Sequence, residues 1–391
     1  MQRPPRPVAA VTEAHALRRE IMRFATIGAL RAAAEWPSLE ARLHAMLDTP
    51  RRYEATVPPA PPRDAAVIRV VHWNIEHGNH YERVERALLE HPALAHADLV
   101  MCNEIDLGMA RAGNRDVTGD LADALGLHAV YAPLFLETTV GRDDDAITAG
   151  EHDNEESLFG LAVLSRWPIG KVHLVPLPGP EQIQFDLERM YGRFLGLVCE
   201  IQRPGAPFIA ISAHLEVHRT RGHRAAQVRA LMRAIAHVTQ PVVMAGDFNT
   251  HTFDRGLWHS TLSGALPLLT WPGGSLRERL LHPDQGRYRE PLFEVLQEAG
   301  FRWEPFVDFA PTLQVRFDRL DEVSGMPAQM RALVRRGLGW LQDRALLRLD
   351  WICARGFVPA LAARSGITVH GLDGAGCASD HAPIVAELAL P

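Results

Sequence analysis

Short apolar runs alternate with amphipathic stretches through most of the chain after residue 66. The apolar runs have the length and composition of buried strands, and we predict strands at 67–76, 98–104, 158–166, 171–175, 193–202, 207–215, 241–246, 348–354 and 383–388. Between some of these runs apolar residues recur at helical spacing, which predicts helices at 81–90, 118–125 and 219–237. This pattern indicates an α/β protein. The strands predicted at 193–202 and 207–215 are joined by a short turn, which favours antiparallel neighbours and a mixed sheet.

The first part of the chain has a different pattern. Residues 8–48 are predicted to be helical, with apolar residues at helical spacing at Leu17, Ile21, Phe24, Ile27 and Leu30. The proline-rich run 58–62 predicts a stiff spacer. We therefore predict an N-terminal helical extension with its linker at 1–63 and a larger domain at 64–391. The extension either packs on the larger domain or provides a surface for self-association or membrane contact.

Composition narrows the class of protein. With 391 residues, 47% of them hydrophobic, the chain can build one large layered domain with appendages. A formal net charge of −6 disfavours a protein that coats nucleic acid nonspecifically. The basic residues are almost all arginine and alanine is abundant, which suggests a bacterial source with a GC-rich genome.

Cysteine usage and hydropathy bear on location. The 4 cysteines are scattered without a Cys-x-x-Cys motif, which indicates buried free thiols in a reducing compartment. No apolar run is long enough to span a bilayer, and no signal-peptide core follows the first residues. We therefore expect a cytoplasmic protein.

Polar residues follow several of the predicted strands. The apolar run Val242–Gly246 leads into Asp247 and Asn249, whose side chains leave an extended chain on the same side. A carboxylate and an amide in this arrangement can hold a water, a metal ion or a phosphate oxygen. The other strand ends and adjoining turns carry residues of the same kinds at Asn74, Glu76, Glu104, His214, Glu216, Asp350, Asp380 and His381. The set indicates a hydrolytic site at one edge of the sheets.

The order of these motifs resembles the endonuclease/exonuclease/phosphatase superfamily of metal-dependent phosphoesterases. The matching motifs are Asn74, Glu104, His214-Leu215, Gly246-Asp247-x-Asn249, Asp350-Trp351-Ile352 and Ser379-Asp380-His381. The resemblance covers about residues 66 to 390, with a long insertion at 251–347. It implies a four-layer α/β sandwich, in which two stacked mixed β-sheets are flanked by helices.

The resemblance also implies roles for these residues. Glu104 would be a ligand of Mg²⁺ or Mn²⁺, with Asn74 and Asp380 completing or orienting its shell. Glu76 would hold a second or shifted ion. A zinc site at His214, Glu216 and His218 is an alternative, although no His-Glu-x-x-His motif accompanies it.

The remaining residues of the pattern would act on the phosphoryl group. His381, paired with Asp350, either contacts that group or acts as the base. Asp247 is the rival base, with Asn249 orienting the water or a phosphate oxygen. His214 would stabilise the transition state or protonate the leaving group.

Substrate contacts are less specific in the sequence. Arg111, Asn114 and Arg115 in the loop 108–119, and Arg219 after the His214 strand, are candidates for binding a substrate phosphate, and surface salt bridges are equally compatible with them. The acidic stretch 137–157 is predicted to be a mobile loop. The insertion 251–347, which carries Trp258, Trp271, Trp303 and Trp340, is expected to govern substrate choice.

The resemblance implies a Mg²⁺-dependent hydrolase of phosphoester bonds. Its substrate would be a nucleic acid, a nucleotide or a phospholipid headgroup, and a phosphodiester is the first expectation. A phosphomonoesterase or lipid phosphoesterase is the alternative within the class. A non-catalytic binding module on the same fold is a weaker alternative, because the chain keeps Glu104, Asp247, Asp380 and His381.

Overall fold

The structure of the protein is a computed structural model. It describes residues 12–57, 59, 62, 64, 66–141, 144–180, 190–217, 219–250, 266–315, 329, 344–360, 365–373 and 377–391. The helices are α1 (Glu13–Ile21), α2 (Ile27–Ala32), α3 (Trp36–Leu47), α4 (Tyr81–Glu90), α5 (Val117–Leu125), α6 (Asp144–Ala149), α7 (Arg221–Ala234), α8 (Gly273–Leu281) and α9 (Pro291–Glu298). The strands of the first half are β1 (Arg51–Tyr53), β2 (Val67–His77), β3 (Leu99–Leu107), β4 (His128–Glu137), β5 (Leu158–Ser165), β6 (Ile169–Pro176), β7 (Met190–Gly192) and β8 (Leu195–Ile201). Those of the second half are β9 (Phe208–His214), β10 (Val242–Asp247), β11 (Leu313–Gln314), β12 (Leu346–Leu347), β13 (Asp350–Arg355), β14 (Val358–Pro359), β15 (Ile367–Thr368) and β16 (Ile384–Ala389).

These strands form two large sheets and one small one. The first sheet has the order β1-β4-β5-β3-β2-β16-β14, with β15 paired to β16 and β7 paired to β4. The second has the order β13-β10-β9-β8-β6, and β11 pairs with β12. The pairs β2–β3 and β9–β10 are parallel, whereas β8 and β9 are antiparallel, as the short turn between them predicted. Both large sheets are therefore mixed.

The alternation of side chains along β2 shows how the layers stack. Val70 lies in a buried cluster with Ile211 and Met244 of the second sheet. Val71 and Trp73 lie in a different cluster, which includes the apolar residues of α1, α3, α4 and α5. One face of the first sheet therefore packs on the second sheet and the other face packs on helices. Because α7 and α9 cover the second sheet, the predicted four-layer α/β sandwich is confirmed.

The N-terminal extension consists of three helices in place of the single predicted one. Thr26 caps α2 by accepting a hydrogen bond from the amide of Ala29, and Pro37 occupies the first turn of α3. Arg18 is buried and pairs with Asp153, while its Nε donates to the carbonyl of Thr138 at 3.2 Å. The apolar faces of these helices belong to the same buried cluster as the outer face of the first sheet. The extension is thus packed on the larger domain.

One other expectation needs correction, and one strand was not predicted. The acidic segment was predicted to be mobile, but its described residues include α6 and the buried Asn154 and Glu156. Strand β4 was not predicted, and it contains Pro133 at a register irregularity in its pairing with β5. Among the described residues, no helix has both the length and the apolarity to cross a bilayer.

Candidate active site

The polar residues at the strand ends converge on one edge of the two sheets. Nδ2 of Asn74 on β2 donates to Oε1 of Glu104 on β3 at 2.9 Å. The same nitrogen lies 3.4 Å from Oδ2 of Asp247, which ends β10 in the other sheet. Asn74 and Asp247 are buried and Glu104 is partly exposed, so the predicted site lies where the edges of the two sheets meet, and we refer to the space between these groups as the cleft.

The backbone bends sharply where these side chains leave the strands. Four non-glycine residues at this edge have positive φ angles, and they are Glu76 (45°), His77 (66°), Glu104 (51°) and Asn249 (50°). The pairing of β2 with β3 shifts register at the same place. Such strained positions each cost about 1–3 kcal/mol and cluster at functional sites. These bends interrupt the strand alternation at Glu104 and Asn249, and the side-chain Nδ2 of Asn249 donates to the carbonyl of Leu215 at 2.8 Å.

Close packing of two strands sets the position of Asp247. A Cβ at Gly246 would lie 1.8 Å from the carbonyl oxygen of Ala213 on β9, so only glycine fits. The amide of Asp247 donates to Oδ1 of Asn103 at 2.8 Å. Its own Oδ1 accepts from the amide of Asn249 at 2.8 Å. The Asp247 carboxylate is therefore fixed on one oxygen and presents the other, Oδ2, to the cleft.

Two imidazoles flank the presented oxygen. Nε2 of His214 and Nε2 of His381 each lie 3.8 Å from Oδ2 of Asp247. Nε2 of His214 is also 3.9 Å from Oε1 of Glu104. These separations exceed a hydrogen bond, so the groups face a shared space rather than each other. Nδ1 of His214 is buried and has no hydrogen-bond partner among the described residues.

His381 is held from behind by a buried carboxylate. Its Nδ1 lies 2.8 Å from Oδ2 of Asp350, as the motif predicted. The other oxygen of Asp350 lies 2.9 Å from Nε2 of His72, a contact that the sequence did not predict. His72 is completely buried, and its Nδ1 donates to the carbonyl of Met101 at 3.1 Å. The sequence signal for His72 is its spacing, because residues 72 and 74 of one strand face the same side.

Burial and mutual charge shift the pKa values of these groups in different directions. Burial opposes ionisation of Asp350, but the facing His381 and His72 hold its pKa well below its usual range. Burial opposes protonation of His381, yet Asp350 and Asp380 hold its pKa well above its usual range. The pair is therefore an imidazolium–carboxylate pair at neutral pH.

For His214 and Asp247, burial is the main cause of the pKa shift. Burial, followed by the charge of His381, lowers the pKa of His214 to about 3, so this imidazole is neutral. Burial and the charge of Asp350 raise the pKa of Asp247 to about 6, which leaves it mostly ionised at neutral pH. The cleft thus combines one ionised carboxylate, one imidazolium and one neutral imidazole.

The donor set fits a hard divalent cation. Burial and the nearby charge of Asp380 raise the pKa of Glu104 to about 8, and a cation between these two carboxylates would relieve both effects. Carboxylate oxygens with few protein contacts are typical of Mg²⁺ and Mn²⁺ sites. Asn74 donates to Glu104 and its Oδ1 accepts from the amide of Glu76, so it orients Glu104. Side-chain groups close enough to share an ion include Glu104, His214 and Asp247.

The zinc alternative finds no support in the contacts of Glu216. Its carboxylate lies 2.9 Å from Nε of Arg219 and 3.1 Å from Nε2 of His223. His218 lies outside the described residues. Glu216 therefore belongs to a separate cluster with Arg219 and His223.

The predicted substrate-binding residues have protein partners. Arg111 is buried and makes two hydrogen bonds to Asp106, with Glu137 at 3.0 Å. Arg115 pairs with Glu82 and Asp120. Asn114 donates to the carbonyl of Asp153 at 2.9 Å. Arg219 is about half exposed, with its side chain 45% accessible. Of these four side chains, that of Arg219 is the most available to a ligand, whereas the structure does not bring the other three into the cleft.

His77, which lies near the sequence motifs but matches none of them, links the cleft to the Arg111 cluster. Its Nε2 lies 3.7 Å from Oε2 of Glu104 and 4.0 Å from Oδ2 of Asp145, which in turn contacts Arg111. Burial and the charge of Arg111 lower the pKa of His77 to about 3. Its signal in the sequence is its position directly after Glu76.

The chain is similar to several known proteins. A search of solved structures finds an endonuclease/exonuclease/phosphatase from Beutenbergia cavernae DSM 12333, at 18% identity and a TM-score of 0.46, covering 83% of this chain and 72% of that one. It also finds an endonuclease/exonuclease/phosphatase from Bacteroides vulgatus, at 14% identity and a TM-score of 0.48, covering 83% of this chain and 99% of that one. A 3'-5' exonuclease from Neisseria meningitidis is 14% identical with a TM-score of 0.44, covering 82% and 98%. No curated protein matches the chain. The family model of the Endonuclease/Exonuclease/phosphatase family matches residues 71–381, and the chain therefore belongs to that family.

Proposed function

We propose that the protein is a divalent-cation-dependent phosphodiesterase in which water attacks phosphorus in line, without a covalent enzyme intermediate. The observation that carries this proposal is the convergence of three nitrogen groups on one carboxylate oxygen, Oδ2 of Asp247. Nδ2 of Asn74 lies 3.4 Å from Oδ2 of Asp247, and Nε2 of His214 and of His381 each lie 3.8 Å from it. A pentavalent phosphoryl group needs both a base and several donors in one place, and this cleft supplies them.

Asp247 is the proposed general base. The choice between Asp247 and His381 turns on which group is free to take a proton at neutral pH. The raised pKa of His381 leaves it protonated beside Asp350, whereas Asp247, with a pKa of about 6, is mostly ionised. A base with a pKa close to the working pH combines availability with driving force. The backbone amide of Asn249 donates to Oδ1 of Asp247 and would thereby keep Oδ2 directed at the water.

The two histidines would stabilise charge on the phosphoryl oxygens. His381 carries a positive charge that Asp350 supports from behind, so its Nε2–H can donate to an oxygen on which negative charge grows. His214 has a pKa of about 3 and is therefore a neutral donor rather than a proton source for the leaving group. This assignment favours transition-state stabilisation over leaving-group protonation for His214.

Glu104 and Asp380 would hold the cation, Mg²⁺ or Mn²⁺, with Asn74 orienting Glu104. Glu76 would be a ligand of a second or shifted ion. When bound, the cation neutralises phosphoryl charge and supports the leaving oxygen. The role of the protein is to hold the carboxylate of Glu104 directed at the cleft. The hydrogen bond of 2.9 Å from Asn74 to Glu104 serves that purpose.

A nucleic acid is the proposed substrate class. Trp271 and Tyr288 stack at a centroid distance of 5.5 Å, and the guanidinium of Arg287 lies 4.5 Å from the Tyr288 ring. Arg221, at the start of α7, donates to the carbonyl of Tyr288 at 2.8 Å and so connects this cluster to the segment that follows His214. Aromatic rings interleaved with arginines suit the stacking of bases beside a phosphate backbone. A cytoplasmic location is consistent with the 4 free cysteines.

Metal-supplemented assays on a pair of simple substrates test the proposal. Bis-p-nitrophenyl phosphate should be hydrolysed, EDTA should abolish the activity, and added Mg²⁺ or Mn²⁺ should restore it. The Asp247→Asn variant, purified in the same way, controls for a contaminating hydrolase. Turnover that persists in EDTA contradicts the mechanism. Faster turnover of p-nitrophenyl phosphate than of the diester favours the phosphomonoesterase alternative, and a panel of DNA, RNA, phosphoinositide, sphingomyelin and nucleotides then identifies the class.

A further inference from the structure

His72 connects the two sheets directly behind the candidate active site. It lies on β2, two residues before Asn74, and its side chain is completely buried. One ring nitrogen, Nδ1, lies 3.1 Å from the carbonyl oxygen of Met101 on β3 and donates to it, because a carbonyl can only accept. This hydrogen bond fixes the orientation of the ring. The other, Nε2, lies 2.9 Å from Oδ1 of Asp350 on β13 of the second sheet. The imidazole therefore spans from the backbone of one sheet to a functional carboxylate of the other.

Asp350 is consequently held on both of its oxygens. Oδ2 lies 2.8 Å from Nδ1 of His381 and Oδ1 lies 2.9 Å from Nε2 of His72. The torsion that rotates a carboxylate about its last bond is soft, so one contact alone leaves the plane of the group free to turn. A second contact on the opposite oxygen fixes that plane, and with it the direction from which His381 is supported.

The backbone of Asp350 is anchored independently. Its amide donates to Oγ1 of Thr312 at 3.2 Å, and the carbonyl of Thr312 accepts from the amide of Ala382 at 2.8 Å. This arrangement sets where Asp350 and His381 sit relative to each other but leaves the carboxylate torsion to the side-chain contacts. The only described contacts that act on that torsion are those to His381 and to His72.

We propose that His72 is a positioning residue for the reaction: it fixes the carboxylate of Asp350, and through Asp350 the imidazole of His381. Because β2 also delivers Asn74, which orients Glu104, one strand sets the geometry of both the cation side and the imidazole side of the cleft. This inference rests on the proposed function for its kinetic consequence. Its structural content, the contact between His72 and Asp350, does not depend on that function.

Two substitutions separate the two ends of the ring. His72→Gln places an amide nitrogen as many bonds from Cα as Nε2 and so keeps a donor for Asp350. His72→Asn places its amide nitrogen at the position of Nδ1 and so keeps the bond to Met101 while losing the contact with Asp350. Both replacements put a neutral amide in the same buried place, so each controls for the general disturbance of the other.

The test measures kcat and KM on bis-p-nitrophenyl phosphate with Mg²⁺, together with the thermal midpoint of each variant. His72→Asn should lower kcat roughly 10- to 100-fold with KM changed less than about 2-fold, which is the usual range for losing an outer partner of a functional group. His72→Gln should recover most of the rate. In an Asp350→Asn background the His72→Asn change should have little further effect on kcat. Equal rates for the Gln and Asn variants, or full additivity with Asp350→Asn, would overturn the proposal.

A proton NMR measurement distinguishes failure of this proposal from failure of the proposed function. The ring N–H of His381 that faces Asp350 should give a low-field proton resonance, assigned with ¹⁵N-labelled histidine and its loss in His381→Gln. That resonance should move or broaden in His72→Asn and stay near its wild-type position in His72→Gln. A wild-type protein that hydrolyses none of the phosphoesters would refute the function, while this resonance would still decide the role of His72. An unchanged resonance in His72→Asn contradicts the proposal whatever the activity.

Discussion

Nε2 of His381 lies 3.8 Å from Oδ2 of Asp247, where Asp247 ends β10 of the second sheet and His381 precedes β16 of the first. They are too far apart to form a hydrogen bond with each other, and because both are buried they are shielded from bulk water. An ionised carboxylate and an imidazolium held apart in this way form a preorganised pair for a group that enters between them. The arrangement leads to a prediction for each residue.

Replacing Asp247 with asparagine should lower kcat by a factor on the order of 10²–10⁴ while leaving the fold intact, because it removes the proposed base but keeps the shape. In the wild type, the base must be ionised to act. The rate should therefore rise as the pH rises through about 6, the pKa to which burial and Asp350 bring Asp247. A pH–rate profile of kcat/KM for both proteins checks this. An ascending limb that survives in Asp247→Asn would assign the base to another residue.

His381→Ala should lower kcat by a similar factor but should keep the ascending limb of the pH–rate profile, because the residue is proposed as a charged donor and not as the base. His381→Gln keeps a neutral donor and should fall between the alanine variant and the wild type. Steady-state rates at several pH values, with circular dichroism as the folding control, test whether His381 acts as a charged donor or as the base. A near-normal rate in His381→Ala would place charge stabilisation elsewhere.

Glu104 should make the stability of the metal-free protein depend on pH. Its pKa is raised from 4.5 to about 8 by burial and by Asp380, so the folded state favours the protonated carboxyl. The stability that this proton provides is fully present below pH 4.5 and is lost as the pH rises through about 8, by an amount on the order of a few kcal/mol. Added Mg²⁺ should restore stability at the alkaline end, because it replaces the proton.

Denaturant unfolding in EDTA between pH 5 and 9, roughly the range over which these carboxyls titrate, measures that dependence. Glu104→Gln is the matched control, because its amide cannot ionise and should remove most of the slope. The same variant should bind Mn²⁺ more weakly by calorimetry. A slope unchanged in Glu104→Gln would show that other carboxyls cause it.

The fold and most of the site could be predicted because both leave local traces in the sequence. Buried strands appear as apolar runs, and the polar residues that end them, such as Glu104 and Asp247, stand out against that background. Strand β4 was missed because Pro133 interrupts a run that is otherwise typical of a strand; the structure accommodates it at a register irregularity. The contact of His72 with Asp350 was not predicted, because the two residues are 278 positions apart and no local pattern encodes such a contact.

The candidate substrate arginines illustrate the opposite limit. Arg111 follows Glu104 closely and its residue type suits a phosphate, but the chain uses it to neutralise Asp106 and Glu137 inside the protein. Residue type and proximity in sequence do not reveal which of two anions, one from the protein and one from a ligand, a guanidinium will meet. That distinction requires the tertiary contacts.

Gly246 should tolerate no side chain. A Cβ there would lie 1.8 Å from the carbonyl oxygen of Ala213, so Gly246→Ala must push β9 and β10 apart next to His214 and Asp247. We expect a loss of about 3 kcal/mol in the free energy of unfolding and a fall in activity. Gly273→Ala is the matched control, since nothing lies within 4 Å of the added atom. Equal stability of the two variants, measured by denaturant unfolding, would contradict the close approach of the strands.

The N-terminal helices should contribute to the stability of the whole domain. Leu43 on α3 is completely buried in the cluster that includes the outer face of the first sheet. Leu43→Ala should therefore cost about 2–5 kcal/mol, as in any well-packed core. Leu89→Ala, at a side chain with 46% exposure, should change stability by less than about 0.5 kcal/mol. A Leu43→Ala variant as stable as the Leu89→Ala control would mean that the extension is a separate appendage.

The buried ion pair between Arg224 on α7 and Glu290 ties the described part of the insertion to the second sheet. Nη2 of Arg224 lies 2.7 Å from Oε1 of Glu290, its Nε lies 3.2 Å from Oε2, and both side chains are inaccessible to solvent. Arg224→Met leaves a buried carboxylate without its countercharge and should cost about 3–5 kcal/mol. The double variant with Glu290→Leu removes both charges and should recover most of that loss.

A double-mutant cycle of unfolding free energies, built from Arg224→Met, Glu290→Leu and the double variant, measures the coupling of this pair. We expect the summed losses of unfolding free energy in the two single variants to exceed the loss in the double variant, because each single change leaves one buried charge without this countercharge. Activity of the folded double variant should stay close to that of the wild type, since neither residue faces the cleft. Additive losses would show that the pair contributes packing alone, and a large loss of activity would mean that residues 266–315 position substrate through this pair.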